Sequence, residues 1–180
     1  MKIYETSITD AFVLEPKVFG DSRGYFFESF NMKKLHKKFK DIVFVQDNIS
    51  FSEKGVLRGM HFQKEFPQGK LIQAIKGKIL DVIVDLREGS SSFGKYYSIE
   101  LSDQNKKQLW APPGVAHGFC VLSDSAKVFY KCTEYYHPED EYTLLWCDPD
   151  IGIEWPFEDP VLSDKDIDGY SFEHFKSMND

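Results

Sequence analysis

No apolar run in this sequence approaches the roughly 20 residues a helix needs to cross a bilayer. The opening MKIYETSITD holds no apolar signal segment either. Positive charge is scarce: 22 Lys and Arg stand against 29 Asp and Glu, a net charge of −7. A nucleic-acid-binding surface needs a basic footprint, so that class is disfavoured, whereas a local cationic pocket for a small anion is not. Cysteine is sparse as well. Cys120, Cys132 and Cys147 stand too far apart for a CxxC pair, and their odd number fits reduced thiols in a cytosolic core better than a disulfide framework. Asn48-Ile49-Ser50 fits the glycosylation pattern by chance. There is no GxGxxG, Walker-type loop, GxSxG elbow or HExxH, so nucleotide-cofactor redox chemistry and serine hydrolysis lose ground. These absences predict a soluble, cytoplasmic protein with neither nucleic acid nor membrane as a partner.

What the chain does have is aromatic bulk, 16% of its residues, which favours strands and leaves rings for an interface or a stacking site. Its 180 residues suffice for one domain, 1–180, with a core of its own. Strands are predicted at 12–14, 24–30, 42–46, 56–63, 70–75, 78–85, 96–101, 107–111, 119–122, 127–135 and 142–147. Turn signals such as Lys76-Gly77, Glu88-Gly89-Ser90 and Pro112-Pro113-Gly114 separate them. Pro16–Arg23 reads as a turn-rich connection. Many short strands punctuated in this way indicate an all-β sandwich or barrel. The one clear helical candidate is 32–39, where Leu35 and Phe39 share a face and His36 is expected in solvent. After Pro156 the chain is acidic and irregular, a tail draped over the β core with a terminal helical turn at 173–177.

The most informative stretch is Gly55–Lys70, GVLRGMHFQKEFPQGK. It starts as a strand yet carries Arg58 and His61, three residues apart, which simple alternation would send to opposite faces. Gly59 between them can host a bulge or a close approach that re-aims those side chains. Arg58 suits bidentate capture of a phosphate or carboxylate, His61 takes a proton near neutral pH, and Lys70 can stabilise a developing negative charge. In PPGVAHGF, His117 is expected half-buried where the chain enters a strand; a lone histidine there is more often structural, but beside His61 it gains a functional reading. In KVFYKCTEYY, Tyr130 shares a face with Val128 and Cys132, so its ring points inward and its hydroxyl needs a partner. A plain core tyrosine and a proton donor in a cavity both fit. Ser163-Asp164-Lys165-Asp166 reads locally as a helix N-cap or a solvated turn. Phe19-Gly20-Asp21-Ser22-Arg23-Gly24 reads as a turn holding a potential phosphate-binding arginine.

Taken together, FGDSRGYFFESF, QDNIS, GVLRGMHFQ, QGKL, VDLREGSSSFG, APPGVAHGF, VFYKCTEYY, IGIEWPF and LSDKD resemble the dTDP-4-dehydrorhamnose 3,5-epimerase family, in order from about Phe12 to Asp166. The resemblance implies a cupin-type jelly roll, a homodimer, and no metal or redox cofactor. It implies conversion of dTDP-4-dehydro-6-deoxy-D-glucose to dTDP-4-dehydro-L-rhamnose, on the route to dTDP-L-rhamnose for cell-surface polysaccharide. By the same resemblance His61 is the catalytic base and Asp166 its dyad partner, Tyr130 the general acid, and Lys70 the stabiliser of the enolate. Arg58 and His117 are further pocket residues. Arg23 and Lys165 match diphosphate contacts, Gln46 and Asn48 polar nucleotide contacts, and Tyr136 the ring that stacks on thymine. Phe19 joins the substrate contacts, while Phe26 and Glu28 match residues donated by the partner subunit.

Three other readings remain open on the sequence. A metal-dependent cupin enzyme would use Pro112-x-Gly114-x-x-His117 with His61 and Glu65, although Gly59 stands where such a motif would have its earlier histidine. A sugar-nucleotide-binding module would keep the fold and lose the reaction. A mono-epimerase acting on a related dTDP-4-keto-deoxysugar would share the dyad and differ in pocket geometry.

Overall fold

The computed structural model describes residues 1–35, 38–39 and 42–178. In chain order the strands are β1 (Lys2–Glu5), β2 (Phe12–Glu15), β3 (Val18–Asp21), β4 (Gly24–Phe27), β5 (Gln46–Glu53), β6 (Leu57–Gln63) and β7 (Lys70–Lys76). There follow β8 (Lys78–Asp85), β9 (Tyr96–Ser102), β10 (Gln108–Ala111), β11 (Val115–Val121), β12 (Ser125–Cys132) and β13 (Glu141–Thr143). Three short helices complete the set: α1 (Met32–Leu35), α2 (Asp164–Ile167) and α3 (Phe172–Ser177).

Two antiparallel sheets carry the fold, one ordered β1-β2-β10-β7-β12-β5 and the other β13-β6-β11-β8-β9. From β5 onward the chain passes back and forth between them, the winding of a jelly roll. Strand alternation explains what lies between the layers. Ile72, Ala74 and Val128 from the first sheet meet Ile79, Ile83, Val115 and Val121 from the second in one apolar cluster. The outer face of the first sheet is closed by an aromatic cluster in which Phe39 meets Trp110 edge-on, ring centroids 4.9 Å apart. The outer face of the second is closed by the C-terminal tail, whose Phe172 and Phe175 pack with Met60, Phe62, Val82 and Val84.

Several expectations shift. The predicted helix over 32–39 is observed only as Met32–Leu35; Leu35 and Phe39 are both buried, and His36 lies outside the described residues. Pro16–Arg23 is not merely a connection, because Val18–Asp21 pairs with Gly24–Phe27 in a two-stranded hairpin. The strand predicted at 42–46 lies instead at Gln46–Glu53, an edge strand whose even positions are polar and face inward. Its polarity runs opposite to the usual sandwich strand, so burial patterning pointed to the wrong segment. β11 starts at Val115 rather than 119, which puts His117 in mid-strand and buries it more fully than expected. β12 ends at Cys132, before 133–135, and β13 is only Glu141–Thr143. Cys120 and Cys132 are buried free thiols, whereas Cys147 is exposed rather than in the core. Among the described residues no helix is long and apolar enough to cross a membrane.

Candidate active site

At one end of the space between the sheets the apolar packing gives way to a cavity of about 400 Å³. The ladder registers explain how it is furnished. Directly opposite residues in antiparallel strands share a face. Asn48, Tyr130 and Ile72 form one cross-strand row, and Gln46, Cys132 and Lys70 form the next. The first sheet therefore presents Gln46, Asn48, Lys70 and Tyr130 to the cavity, and the second presents Arg58, His61 and His117.

Arg58 and His61 reach the same side because β6 is bulged. His61 pairs with His117 and Arg58 pairs with Phe119, so three steps on β6 answer two on β11. Gly59 makes the bulge sterically feasible. Its φ is +119°, and a Cβ there would sit 2.5 Å from the Cα of Gly118 and 2.7 Å from the carbonyl oxygen of His117.

Each of the two cavity histidines is paired with an aspartate. His61 Nε2 lies 2.6 Å from Asp166 Oδ1. Asp166 is buried, and burial alone would raise its pKa. The hydrogen bond and charge of His61, with the hydroxyl of Ser163 donating to Oδ2 at 2.8 Å, hold the carboxyl below its ordinary value. An ionised Asp166 takes the proton of Nε2 as a hydrogen bond and leaves Nδ1 as the basic nitrogen. Ser163 is indeed the N-cap of α2, accepting from the Asp166 backbone N–H, so the local cap reading and the dyad describe the same residues. In the second pair His117 Nε2 lies 2.7 Å from Asp81 Oδ1.

Lys70 is buried, and desolvation lowers its pKa against the opposing pull of Cys132 and Glu141. Burial likewise raises the pKa of Tyr130, reinforced by Cys132 and Glu141 and opposed by Arg58, which keeps the phenol protonated at neutral pH. Arg58 is fixed by donation from Nε to Ser52 Oγ at 2.9 Å. Tyr136, half exposed at the rim, donates from its hydroxyl to Glu141 Oε2 at 2.8 Å, and Lys165 pairs with the same oxygen. Burial would raise the Glu141 carboxyl, but the hydrogen bonds from Lys165 and Tyr136 outweigh it and hold the group below its ordinary value.

Ten of the fourteen residues singled out on the sequence thus line one cavity: His61, Asp166, Tyr130, Lys70, Arg58, His117, Gln46, Asn48, Lys165 and Tyr136. Phe19, Arg23, Phe26 and Glu28 are not among them. The first three belong to the β3–β4 hairpin and line a separate surface pocket, where Arg23 is held by Asp21 in an exposed ion pair. Glu28 pairs with Lys34 at 2.7 Å. Glu65, weighed as a metal ligand, is exposed and does not line the cavity. Among the described residues no group of three His, Cys, Asp or Glu side chains is arranged to hold a metal ion.

Sequence reasoning missed Glu141 and Asp81, and read Ser163 only as a local cap or turn residue. Asp81 had a signal, since it falls on the inward parity of Ile79 and Ile83 in β8, and a carboxylate at a core position demands a partner. Glu141 had none, because it sits in a run of acidic residues after a turn.

A family model described as dTDP-4-dehydrorhamnose 3,5-epimerase matches residues 5–174. The chain belongs to the dTDP-4-dehydrorhamnose 3,5-epimerase family. It is 51% identical over 174 residues to such an epimerase of Shigella flexneri, covering 96% of each chain. Its fold resembles that of a 3,5-epimerase of Legionella pneumophila in complex with dTDP-4-keto-L-rhamnose. There the TM-score is 0.92 at 46% identity, covering 96% of this chain and 93% of that one. A 3'-monoepimerase of Streptomyces bikiniensis, in complex with dTDP-quinovose, has a similar backbone, TM-score 0.91, at 31% identity over 97% and 89% of the two chains. The family is one of isomerases, and the cupin-like jelly roll expected from the sequence is the fold observed.

Proposed function

We infer that this chain is a 3,5-epimerase that converts dTDP-4-dehydro-6-deoxy-D-glucose to dTDP-4-dehydro-L-rhamnose in dTDP-L-rhamnose biosynthesis. The ketone at sugar carbon 4 acidifies the hydrogens on carbons 3 and 5. His61 Nδ1 removes one of them, Asp166 steadies the resulting imidazolium, and the electron pair moves onto oxygen 4 as an enolate. Lys70 stabilises that oxyanion, the electrostatic contribution expected to be largest. Tyr130 delivers a proton to the same carbon from the other face, the ketone re-forms, and the centre is inverted. His61 then sheds its proton to solvent, Tyr130 recovers one, and the cycle repeats at the second carbon.

The observation that carries this reading is the opposition of His61 on the second sheet to Tyr130 and Lys70 on the first, across a cavity large enough for a hexose. Arg58 and His117 support the sugar and diphosphate, Lys165 takes the diphosphate, Gln46 and Asn48 hold the nucleoside, and Tyr136 stacks on thymine. Identity of 51% to the Shigella flexneri 3,5-epimerase, against 31% to the 3'-monoepimerase, favours inversion at both carbons.

The chain acts as one cytoplasmic domain, 1–180, in a homodimer whose partner donates Phe26 and Glu28, with Phe19 and Arg23 in the same hairpin. Two features support this. Phe19 and Phe26 are 53% and 70% exposed on a hairpin away from the chain's own cavity, and Ile49 and Phe51 on the outward face of β5 are likewise bare.

The test is proton NMR in deuterium oxide with purified protein, chelator, substrate and a reductase to trap the product. Deuterium at carbons 3 and 5 with dTDP-L-rhamnose as product is expected. Exchange at one carbon alone would mean a mono-epimerase, and exchange only after metal is restored would overturn the metal-free mechanism.

A further inference from the structure

Among the described residues Glu141 is the one carboxylate in the cavity that faces both the nucleotide side and the base. Its side chain is only 13% exposed, and its two oxygens are divided between two tasks. Oε2 receives the Tyr136 hydroxyl and Lys165, the two side chains assigned above to thymine and diphosphate. Oε1 lies 3.8 Å from His61 Nδ1, the nitrogen that Asp166 leaves free. Lys165 is the exposed member of its pair, 46% accessible, so it can swing to a stronger anion while Glu141 stays in place.

We propose that Glu141 is a positioning residue that couples nucleotide binding to the strength of the catalytic base: the diphosphate draws Lys165 away, and the uncovered Glu141 charge then acts on His61. The inference rests on the site assignment above and extends it. In the free protein the Lys165 ammonium compensates Glu141, and the imidazole sees little net charge from the pair. When the doubly charged diphosphate competes for the ammonium, the compensation ends, and a bare carboxylate under 4 Å from Nδ1 favours the protonated imidazole. A strong base is thus assembled only when its substrate is present.

The other ionisable groups facing His61 do not change partners in this way. Asp166 on α2 is committed to Nε2 and to Ser163, and His117 on β11 is tied to Asp81. Arg58 on β6 is held by Ser52. Lys70 on β7 and Tyr130 on β12 belong to the opposite sheet.

The experiment is an NMR titration of the His61 imidazole, free and saturated with dTDP, in the full-length wild type, Glu141→Gln and Lys165→Met, with dTDP affinity measured on the same samples. In the wild type, dTDP should raise the titration midpoint by about one pH unit, the scale of a carboxylate at this distance. In Glu141→Gln the rise should fall to less than half of that. Lys165→Met should lift the midpoint of the free protein, and adding Glu141→Gln to it should cancel that lift. Equal rises in wild type and Glu141→Gln would mean that the diphosphate charge acts alone, which overturns the coupling while leaving the site reading intact. The lift persisting in the double variant overturns it too, and that comparison needs no ligand. Failure of dTDP to bind the wild type at all would instead remove the site assignment on which the inference stands.

Discussion

His61 and His117 face each other on neighbouring strands, and each places Nε2 on an aspartate oxygen, at 2.6 and 2.7 Å. The two pairs look alike and differ in what surrounds the carboxylate. The His61 side chain is 26% exposed to the cavity, and both Asp166 oxygens have donors, so its carboxyl lies below the ordinary value. The His117 side chain is 8% exposed and Asp81 not at all. Among the described residues Asp81 Oδ2 has no hydrogen-bond partner, and desolvation pushes the carboxyl up, with His117 only partly offsetting it. The first pair is built to hold a charge as it appears on the imidazole. The second is built into the sandwich wall, where a separated ion pair costs more. The same residue types form a more accessible pair in one place, proposed above as the base, and a more deeply buried pair in the other because solvation and hydrogen-bond count differ.

Replacing the histidines tests this contrast most severely. His61→Asn should lower deuterium exchange at both sugar carbons by about 10²–10⁴-fold while dTDP still binds; exchange near the normal rate would falsify its role as base. His117→Asn should lose far less exchange, with its larger effect on thermal stability. Lys70→Met comes next, with a fall of about 10²–10³-fold in kcat, the scale of losing one oxyanion donor. If kcat is unchanged and only KM rises, Lys70 binds substrate and does not stabilise the enolate.

The aspartates separate the pairs by pH. Asp166 has a lowered folded pKa, so its stabilisation is present above the ordinary value of 3.8 and is lost as pH falls below it. Asp166→Asn should therefore cost about 1–3 kcal/mol at neutral pH and progressively less in acid. Asp81 has a raised folded pKa, so burying it becomes unfavourable as pH rises from 3.8 through that folded value. Asp81→Asn, which keeps an acceptor for His117, should relieve that penalty and lift Tm relative to wild type more at pH 8 than at pH 4. Thermal melts across this range read both, and parallel curves for the two variants would erase the distinction drawn here. The smallest effect expected is that of Ser163→Ala, about 1 kcal/mol from the lost N-cap. A modest drop in kcat should accompany it as Asp166 Oδ2 loses its donor, and Ser163→Thr should restore both.

Much of this was legible residue by residue. β8 runs over Lys78–Asp85, the span predicted for it, and the Gly59 bulge that aims Arg58 and His61 together is one of the two roles, bulge or close approach, expected of that glycine. β5 was not legible, because its inward face is Gln46, Asn48 and Ser50 and its outward face carries Ile49 and Phe51, the reverse of what burial teaches one to expect. Arg23 illustrates the other limit. A turn rich in glycine and arginine is visible in the sequence, but its position on a hairpin away from the chain's own cavity is not.

By itself the sequence determined the all-β class, the inward face of the Tyr130 strand, the glycine that permits the bulge and, through motifs spread along the chain, the family. Those are properties of short windows, where side-chain period, glycine sterics and residue chemistry act locally. The family resemblance pairs Asp166 with His61, but only the tertiary structure shows what brings them together and that His117 has a carboxylate of its own. Asp166 reaches His61 across 105 residues because the tail docks on the sandwich through the Val56–Val161 and Leu144–Tyr170 bridges. Asp81 reaches His117 because β8 and β11 are neighbours in the sheet. Glu141 gains its place beside His61, Tyr136 and Lys165 through the β13–β6 pairing, a contact that exists only once the sheet has formed.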